Sequence, residues 1–266
     1  MDRTTDLPGG QPLDNTTPVA GAKPHAINIR RVVGFILWGA GFLLLVVSSV
    51  IVHFHPGPWP FDLQTTVTLQ HSQISNALNN PVAVVSIVDD PFPSVLIPII
   101  WFVVLGSIGV YVWRMRGWPV RWFVNAIFIS AGPGLAAILD FIFSSLVHRP
   151  RPSSPLIHIF RSAPTGSFPS GHVENDVVYL GFLLYLSFTK PVSEWRYRWI
   201  LIPFQIYAVL NMLLIGYSRV YEGAHWLTDA AGGYLAGALW LSALIFLYRW
   251  TMDTLTKWRE RRLNER

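Results

Sequence analysis

Three short polar segments interrupt a very apolar sequence, and their residue types could hold and transfer a phosphate group. The first is His148–Pro152 (HRPRP), the second is Phe168–His172 (FPSGH), and the third runs from Ser218 to Asp229. Each adjoins an apolar run long enough to cross a membrane. Two arginines, two histidines, an aspartate and a Ser-Gly turn are sufficient to bind a phosphate and pass it to a histidine.

Arginine is the side chain best suited to a phosphate dianion, because its planar fork matches two oxygens and its charge is permanent. We expect Arg151 and Arg219 to bind phosphate, with prolines on both sides of Arg151 stiffening its backbone. Ser170 and Gly171 precede a predicted helix, whose free N–H groups favour an anion. Taken alone, Pro-Ser-Gly also fits a simple turn that caps a helix.

Two histidines complete the predicted site. His225 and Asp229 are four residues apart and would be neighbours on a helix, so the carboxylate could accept the Nδ1 proton and leave Nε2 free to attack phosphorus. His172 could then protonate the leaving oxygen. The alternative is a zinc or iron site formed by the same three side chains. Because a metal site does not require the arginines, we expect no metal and no cofactor.

The composition indicates a membrane protein. The chain has 266 residues, of which 52% are apolar and 13% charged, whereas soluble domains carry about 25% charged residues. The net charge of +5 is spread over short clusters between apolar runs, which is unlike a nucleic-acid-binding stripe. The chain has no cysteine, so thiol catalysis and disulfides are excluded.

The hydrophobic pattern predicts an all-α fold, an integral-membrane bundle of six helices with the catalytic motifs on extracytoplasmic loops and helix ends. A disordered cytoplasmic tail (1–29) precedes a six-span domain (30–250), and a basic cytoplasmic tail (251–266) follows. The predicted spans are 32–52, 94–113, 122–147, 173–189, 199–217 and 226–248.

Three details of this arrangement carry specific expectations. The first apolar run is read as a retained helix; a signal peptide is the alternative, but the run is too long and lacks a cleavage site. Gly132-Pro133-Gly134 is expected to interrupt the third span. Between the first two spans, four apolar residues could share a helical face, either at the membrane interface or packed on the bundle. These residues are Leu63, Val67, Ile74 and Leu78.

Loop charges predict the orientation. If all six spans cross, then the basic N-terminal flank, 114–121, 190–198 and the C-terminal tail lie on one side, which the positive-inside rule makes cytoplasmic. The three polar segments then face outward together. Arg149, Arg151 and Arg161 depart from the charge rule, and a role in the site would account for them.

The motifs resemble those of the type-2 phosphatidic acid phosphatase superfamily, whose signature is K-x6-R-P, P-S-G-H and S-R-x5-H-x3-D. The second motif is present at Pro169–His172, the third at Ser218–Asp229, and the first ends in Arg151-Pro152. The resemblance extends from the second span to the sixth. It implies a helical bundle that works through a phosphohistidine, with His225 as nucleophile, His172 as acid and Asp229 as orienting partner. It also implies that phosphate is held by Arg151, Ser170, Gly171 and Arg219.

One position departs from the signature. The motif lysine falls on Ser144, which cannot supply a cation, and we hypothesise that Arg149 or Arg161 partly substitutes for it. Losing one charge-assisted contact costs on the order of 1.5–3 kcal/mol. Glu174 and Asp176, which lie close to the predicted phosphate site in sequence, could pair with arginines or disfavour a dianion.

The expected function is hydrolysis of a lipid phosphate or diphosphate, such as phosphatidate, phosphatidylglycerophosphate, a sphingoid phosphate or a polyprenyl diphosphate. A lipid-linked phosphotransferase using the same intermediate and a catalytically silent lipid-binding member are the alternatives. A vanadate-type haloperoxidase has a related site, but six spans argue against it. The expected partners are the lipid substrate and membrane lipids, with no nucleic acid. A bacterial plasma membrane is the expected location, and the oligomeric state stays open.

Overall fold

The computed structural model describes residues 29–72, 91–118 and 120–265, and within these ranges every long element is a helix. Two short 3-10 turns, Val192–Glu194 and Arg198–Leu201, lie between the fifth and sixth α-helices. The α-helices are α1 (Ile29–Phe54), α2 (Pro60–His71), α3 (Pro91–Arg116), α4 (Val120–Val147), α5 (Gly171–Ser187), α6 (Ile202–Tyr221) and α7 (Leu227–Asn264).

The described residues from 38 onward form one compact unit, and the described residues before 38 belong to another. The predicted disordered tail lies outside the described residues, except for Ile29, which begins α1. The all-α class is confirmed.

Helices occur at all six predicted spans. Five segments are long and apolar enough to cross a membrane, namely 31–54, 96–115, 120–147, 198–221 and 227–264. The sixth place is taken by α5, which has 17 residues and is therefore about 26 Å long, slightly less than the ~30 Å hydrocarbon core. The predicted basic tail is a continuation of α7, which runs on to Asn264.

The predicted interruption of the third span is wrong, because α4 runs unbroken from Val120 to Val147 with Pro133 inside it. A proline removes one backbone hydrogen bond, which a membrane helix tolerates when neighbouring helices pack around it. The adjoining glycine is a packing site. A Cβ on Gly132 would lie 2.7 Å from Leu244 Cδ2 of α7.

The central helix is α5, which packs against α4, α6 and α7. Small residues permit close approach to α7: a Cβ on Gly181 would meet Leu241 Cδ2 at 2.5 Å, and one on Gly237 would meet Val177 Cβ at 2.8 Å. This packing fixes the first turn of α5, which carries His172, against the first turn of α7.

The segment after the first span is a short helix packed on the bundle. It is α2, which contacts α6 and α7 and buries Asp62 and Thr66 completely. Of its four proposed face residues, Ile74 and Leu78 lie outside the described residues.

Candidate active site

The three polar segments meet around one cavity of ≈ 250 Å³. The loop 148–170 enters it from the end of α4, α5 begins beside it, and the short connection between α6 and α7 closes it. Four of the seven predicted site residues line the cavity: Arg151, Gly171, His172 and His225.

His225 is held by its backbone at the turn between α6 and α7. The N–H groups of Ala224 and His225 donate to the carbonyl of Arg219 at 3.1 and 3.2 Å. Gly223 has φ +66°, and a Cβ there would lie 2.7 Å from the carbonyl oxygen of His158. Only glycine can readily adopt this φ and also fit in this space. The turn that it forms places His225 immediately before Trp226, the N-cap of α7.

Hydrogen bonds define the tautomer of His225. Its Nδ1 lies 2.8 Å from the carbonyl oxygen of Ser167, which can only accept, so Nδ1 carries the proton. Nε2 therefore has a free lone pair, which accepts from Arg151 Nη1 at 3.1 Å. Burial, followed by the charges of Arg151 and His172, lowers the pKa of His225 well below its usual value. A neutral imidazole with an unprotonated Nε2 is the form that can attack phosphorus.

The expected direct bond between Asp229 and His225 is absent, which corrects the sequence interpretation. Asp229 Oδ2 lies 3.9 Å from Nδ1, close enough for attraction but too far for a hydrogen bond. Its carboxylate instead accepts from Ser167 Oγ at 2.5 Å, from the Trp226 N–H at 2.8 Å and from Arg149 Nη1 at 2.5 Å. Ser167 thus supplies the carbonyl that orients His225 and the hydroxyl that binds Asp229. Since Ser167 belongs to no motif, sequence reasoning missed it.

His172 lies in the first turn of α5 and faces His225 across the cavity. The two ring centroids are 6.4 Å apart. A phosphoryl group held between the rings could contact the nucleophile on one side and a proton donor on the other.

Arg151 is held firmly in place. Its guanidinium donates to the carbonyl oxygens of Thr165 at 3.1 Å and Ala224 at 2.9 Å, and to the hydroxyl of Thr165 at 3.1 Å. These bonds aim Nη1 at the lone pair of His225. A bound phosphate oxygen would have to take over that donor before Nε2 could attack.

The other two predicted phosphate ligands do not line the cavity. Ser170 is fully buried, and its N–H donates to the carbonyl oxygen of Asp229 at 3.0 Å, so this amide is already used. Arg219 is also buried, with Nη1 3.5 Å from Glu222 Oε2. The charge of Arg219 still contributes to the lowered pKa of His225. At the start of α5, Gly171 remains on the cavity wall.

An acidic residue that the sequence interpretation left without a role, Asp140, also lines the cavity. It lies against Gly171, where an added Cβ would be 2.4 Å from Asp140 Oδ2. Glu174 is buried near it, and Asp176 accepts from Asn211 Nδ2 at 2.6 Å. Asp176 therefore belongs to helix packing, whereas Asp140 faces the reacting groups.

Neither arginine proposed to replace the motif lysine lines the cavity. Ser144 is buried and donates to the carbonyl oxygen of Phe141. Arg149 is buried with its donors directed at Asp62, Asp229 and nearby oxygens, away from the cavity. Arg161 lies 3.8 Å from Glu222. Two arginines that flank one proline therefore face opposite ways, with Arg151 toward the cavity and Arg149 toward the bundle.

The alternative metal site is not assembled. Among residues 29–72, 91–118 and 120–265, no group of three His, Asp or Glu side chains is placed to hold a metal ion. The carboxylate of Asp229, which that alternative required, is directed at Arg149 and Ser167.

The fold and the cavity together define an integral-membrane helical bundle whose cavity is lined by two histidines and an arginine. Residues 122–253 match the PAP2 superfamily, and the chain belongs to that family. The match contains His172, His225, Asp229 and both predicted phosphate-binding arginines.

Two characterised proteins are similar over part of the chain. Phosphatidylglycerophosphatase B of Bacillus subtilis is 31% identical over 130 residues, which cover 48% of this chain and 58% of that protein. Undecaprenyl-diphosphatase of Sulfolobus acidocaldarius is 35% identical over 88 residues, which cover 33% of this chain and 36% of that protein. The chain therefore matches just over half the length of the first relative and about a third of the second.

The fold also matches a solved structure, that of a transmembrane PAP2-type phosphatidylglycerolphosphate phosphatase from Bacillus subtilis. The TM-score is 0.56 at 19% identity, with 82% of this chain and 96% of the other covered. This likeness confirms the transmembrane helical fold.

Proposed function

We propose that the protein is an integral-membrane phosphatase that removes phosphate from a lipid phosphate or diphosphate through a phosphohistidine on His225. The observation that carries this proposal is the neutral His225, whose Nε2 lone pair faces the cavity between Arg151 and His172. The relatives named as lipid phosphatases support the same class of substrate.

The first step forms a bond between His225 Nε2 and phosphorus. Arg151 and the positive N-terminal end of α5 hold the phosphoryl oxygens. As the bond between phosphorus and the leaving oxygen breaks, protonated His172 gives its proton to that oxygen. The lipid alcohol departs from a lipid phosphate, and the lipid monophosphate departs from a lipid diphosphate. The positive charge that develops on the His225 ring is stabilised by Asp229, 3.9 Å from Nδ1.

The second step consumes water. Neutral His172 accepts a proton from a water molecule as the water oxygen attacks the phosphohistidine. The bond from Nε2 to phosphorus breaks, its electron pair returns to the ring, and inorganic phosphate leaves. We propose that arginine supplies the charge stabilisation that magnesium provides in other phosphoryl-transfer enzymes, so the reaction needs no metal.

We further propose that the cavity faces outward and both termini face the cytoplasm, because the basic clusters near 114–121 and 190–198 lie at the helix ends opposite the cavity. Because the chain has no cysteine of its own, a single introduced cysteine reports which side of the membrane its position faces. A membrane-impermeant thiol reagent should label Ser153→Cys in intact cells but not Glu194→Cys; the reverse pattern would invert the topology.

The activity is tested by phosphate release from detergent-purified protein in the presence of EDTA. The substrates are phosphatidate, phosphatidylglycerophosphate and undecaprenyl diphosphate in mixed micelles. We expect release by the wild type and none by folded His225→Ala. Release that survives in that variant would exclude His225 as the nucleophile, and release abolished by EDTA would exclude the metal-free mechanism.

A further inference from the structure

A buried ionic cluster lies behind the catalytic histidine, and one of its members comes from a distant part of the chain. Asp62 of α2 has no exposed surface, although aspartate is rarely fully buried unless it is paired. Its Oδ1 accepts from the N–H of Thr228 at 2.9 Å, and its Oδ2 accepts from Arg149 Nη2 at 2.9 Å. Asp62 thus joins α2 to the first turn of α7, beside Asp229.

Arg149 connects the two aspartates. Its Nη2 binds Asp62 and its Nη1 binds Asp229 Oδ1, at 2.9 and 2.5 Å. The remaining donors are used as well, because Nε donates to the carbonyl oxygen of Pro56 and Nη2 also to that of Gly57. The side chains of both ion pairs are completely buried. Such a cluster is expensive to desolvate, so its retention calls for a role beyond stability.

The charge count suggests that role. With Arg149 alone, Asp229 would form a neutral pair and could do little for a positive charge on the His225 ring. With Asp62 as a second partner, Arg149 is shared between two carboxylates, and the cluster of three groups keeps one net negative charge. That charge lies beside the histidine that becomes positive during phosphoryl transfer.

We propose that Asp62 is a positioning residue for the reaction. Asp62 and Asp229 both bind Arg149, so Arg149 orients Asp229 without cancelling the negative charge that stabilises the phosphorylated form of His225. This inference rests on the proposed function. It extends the working site to α2, which lies outside the segment 122–253 that matches the family.

The test compares variants of the full-length protein in detergent, with kcat and KM measured separately on the best substrate of the phosphate-release assay. Asp62→Asn removes the charge and nearly preserves the shape. Asp253→Asn, an exposed aspartate of α7, is the matched control. The thermal unfolding midpoint of each variant gives the folded fraction. If Asp62→Asn does not fold, Asp62→Ser, which leaves room for a water beside Arg149, replaces it.

We expect Asp62→Asn to lower kcat about tenfold or more per folded molecule, with KM nearly unchanged, because the charge acts on the transition state and not on lipid binding. The control should keep both values. We also expect the Asp62→Asn/Arg149→Gln double variant to have a kcat no lower than that of Asp62→Asn, because the quenching charge is removed together with its partner.

Three results would overturn the inference: a wild-type kcat in folded Asp62→Asn, a loss that appears only in KM, or a double variant whose kcat is lower than that of Asp62→Asn. A wild type without phosphate release on any substrate would instead count against the proposed function. The two failures are therefore distinguishable.

Discussion

The contact between Arg151 and His225 makes a prediction about the pH dependence of the reaction. His225 attacks only when Nε2 is unprotonated, so activity falls as the pH drops through the pKa of His225. That pKa is lowered by burial first and by the charge of Arg151 second. Replacing Arg151 with Gln removes the cation whose Nη1 lies 3.1 Å from Nε2 and leaves the burial in place. The acid limb of kcat should therefore move to higher pH, toward the ordinary value for histidine.

The size of the shift follows from the geometry. Two unit charges about 4 Å apart interact by about 4 kcal/mol at an effective dielectric constant of ~20. Water that enters the space left by the shorter side chain will screen part of this. Adjacent charges usually move a pKa by about 1–3 units, so we expect the acid limb to rise by about 1–2 pH units. The value of kcat/KM should also fall about ten- to a hundredfold, because a charge-assisted contact to phosphate is lost.

The assay is phosphate release at saturating substrate across the acid and neutral range, with Arg198→Gln as the control. Arg198 is exposed at the other end of the bundle and donates to the carbonyl oxygen of Ser193. Arg151 also contacts the bound phosphate in the proposed mechanism, so the pKa of His225 is measured in the substrate-free protein as well. An NMR titration of the His225 ring, assigned by comparison with His225→Ala, gives an independent value. An acid limb that stays in place or moves to lower pH would refute the assigned contact.

Three further changes test other parts of the site. His172→Gln should slow phosphohistidine formation in a single turnover by about 10²–10⁴-fold with lipid phosphates but far less with p-nitrophenyl phosphate, whose leaving group needs no proton; equal losses in this first step would exclude His172 as the acid. Asp140→Asn should raise kcat/KM several-fold above neutral pH, where the substrate is a dianion, and change it little in acid; an unchanged pH profile would contradict a charged Asp140 at the cavity. Gly233→Ala, whose Cβ would lie 2.6 Å from the carbonyl oxygen of Ser170, should lower stability by about 1–3 kcal/mol in thermal unfolding, and an unchanged midpoint would show that this backbone yields.

Much of the fold and the centre of the site followed from the sequence because they depend on local pattern. The lengths of the apolar runs predicted the membrane spans. The positions of the motifs at the ends of those spans predicted that Arg151, His172 and His225 lie together, and all three line one cavity. The same reasoning failed at Pro133, where the surrounding helices keep α4 continuous. A proline favours a break in a helix, but the packing of the neighbouring helices outweighs that tendency in α4.

The supporting residues could not be predicted, because their contacts cross long stretches of chain. Asp62 and Thr228 are 166 residues apart, and no spacing rule joins them. Ser167 lies two residues before the motif that begins at Pro169, and its decisive contribution to His225 is a carbonyl oxygen, which every residue type possesses. The segment Arg149-Pro150-Arg151 offers two similar arginines, and only the folded environment shows that Arg149 turns toward buried carboxylates while Arg151 turns toward the cavity.

The charge at the cavity differs from what the family signature implies. Ser144, at the position of the motif lysine, lies four residues after Asp140, which is one turn along the same face of α4. Where the signature supplies a cation beside the phosphate, this chain has a neutral side chain and, one turn away, a carboxylate that lines the cavity. A phosphate monoester loses its second proton near pH 6, so the site should accept the monoanion more readily than the dianion. The missing lysine and the carboxylate of Asp140 therefore change the charge of the site in the same direction, and both favour a substrate phosphate that carries one negative charge over one that carries two.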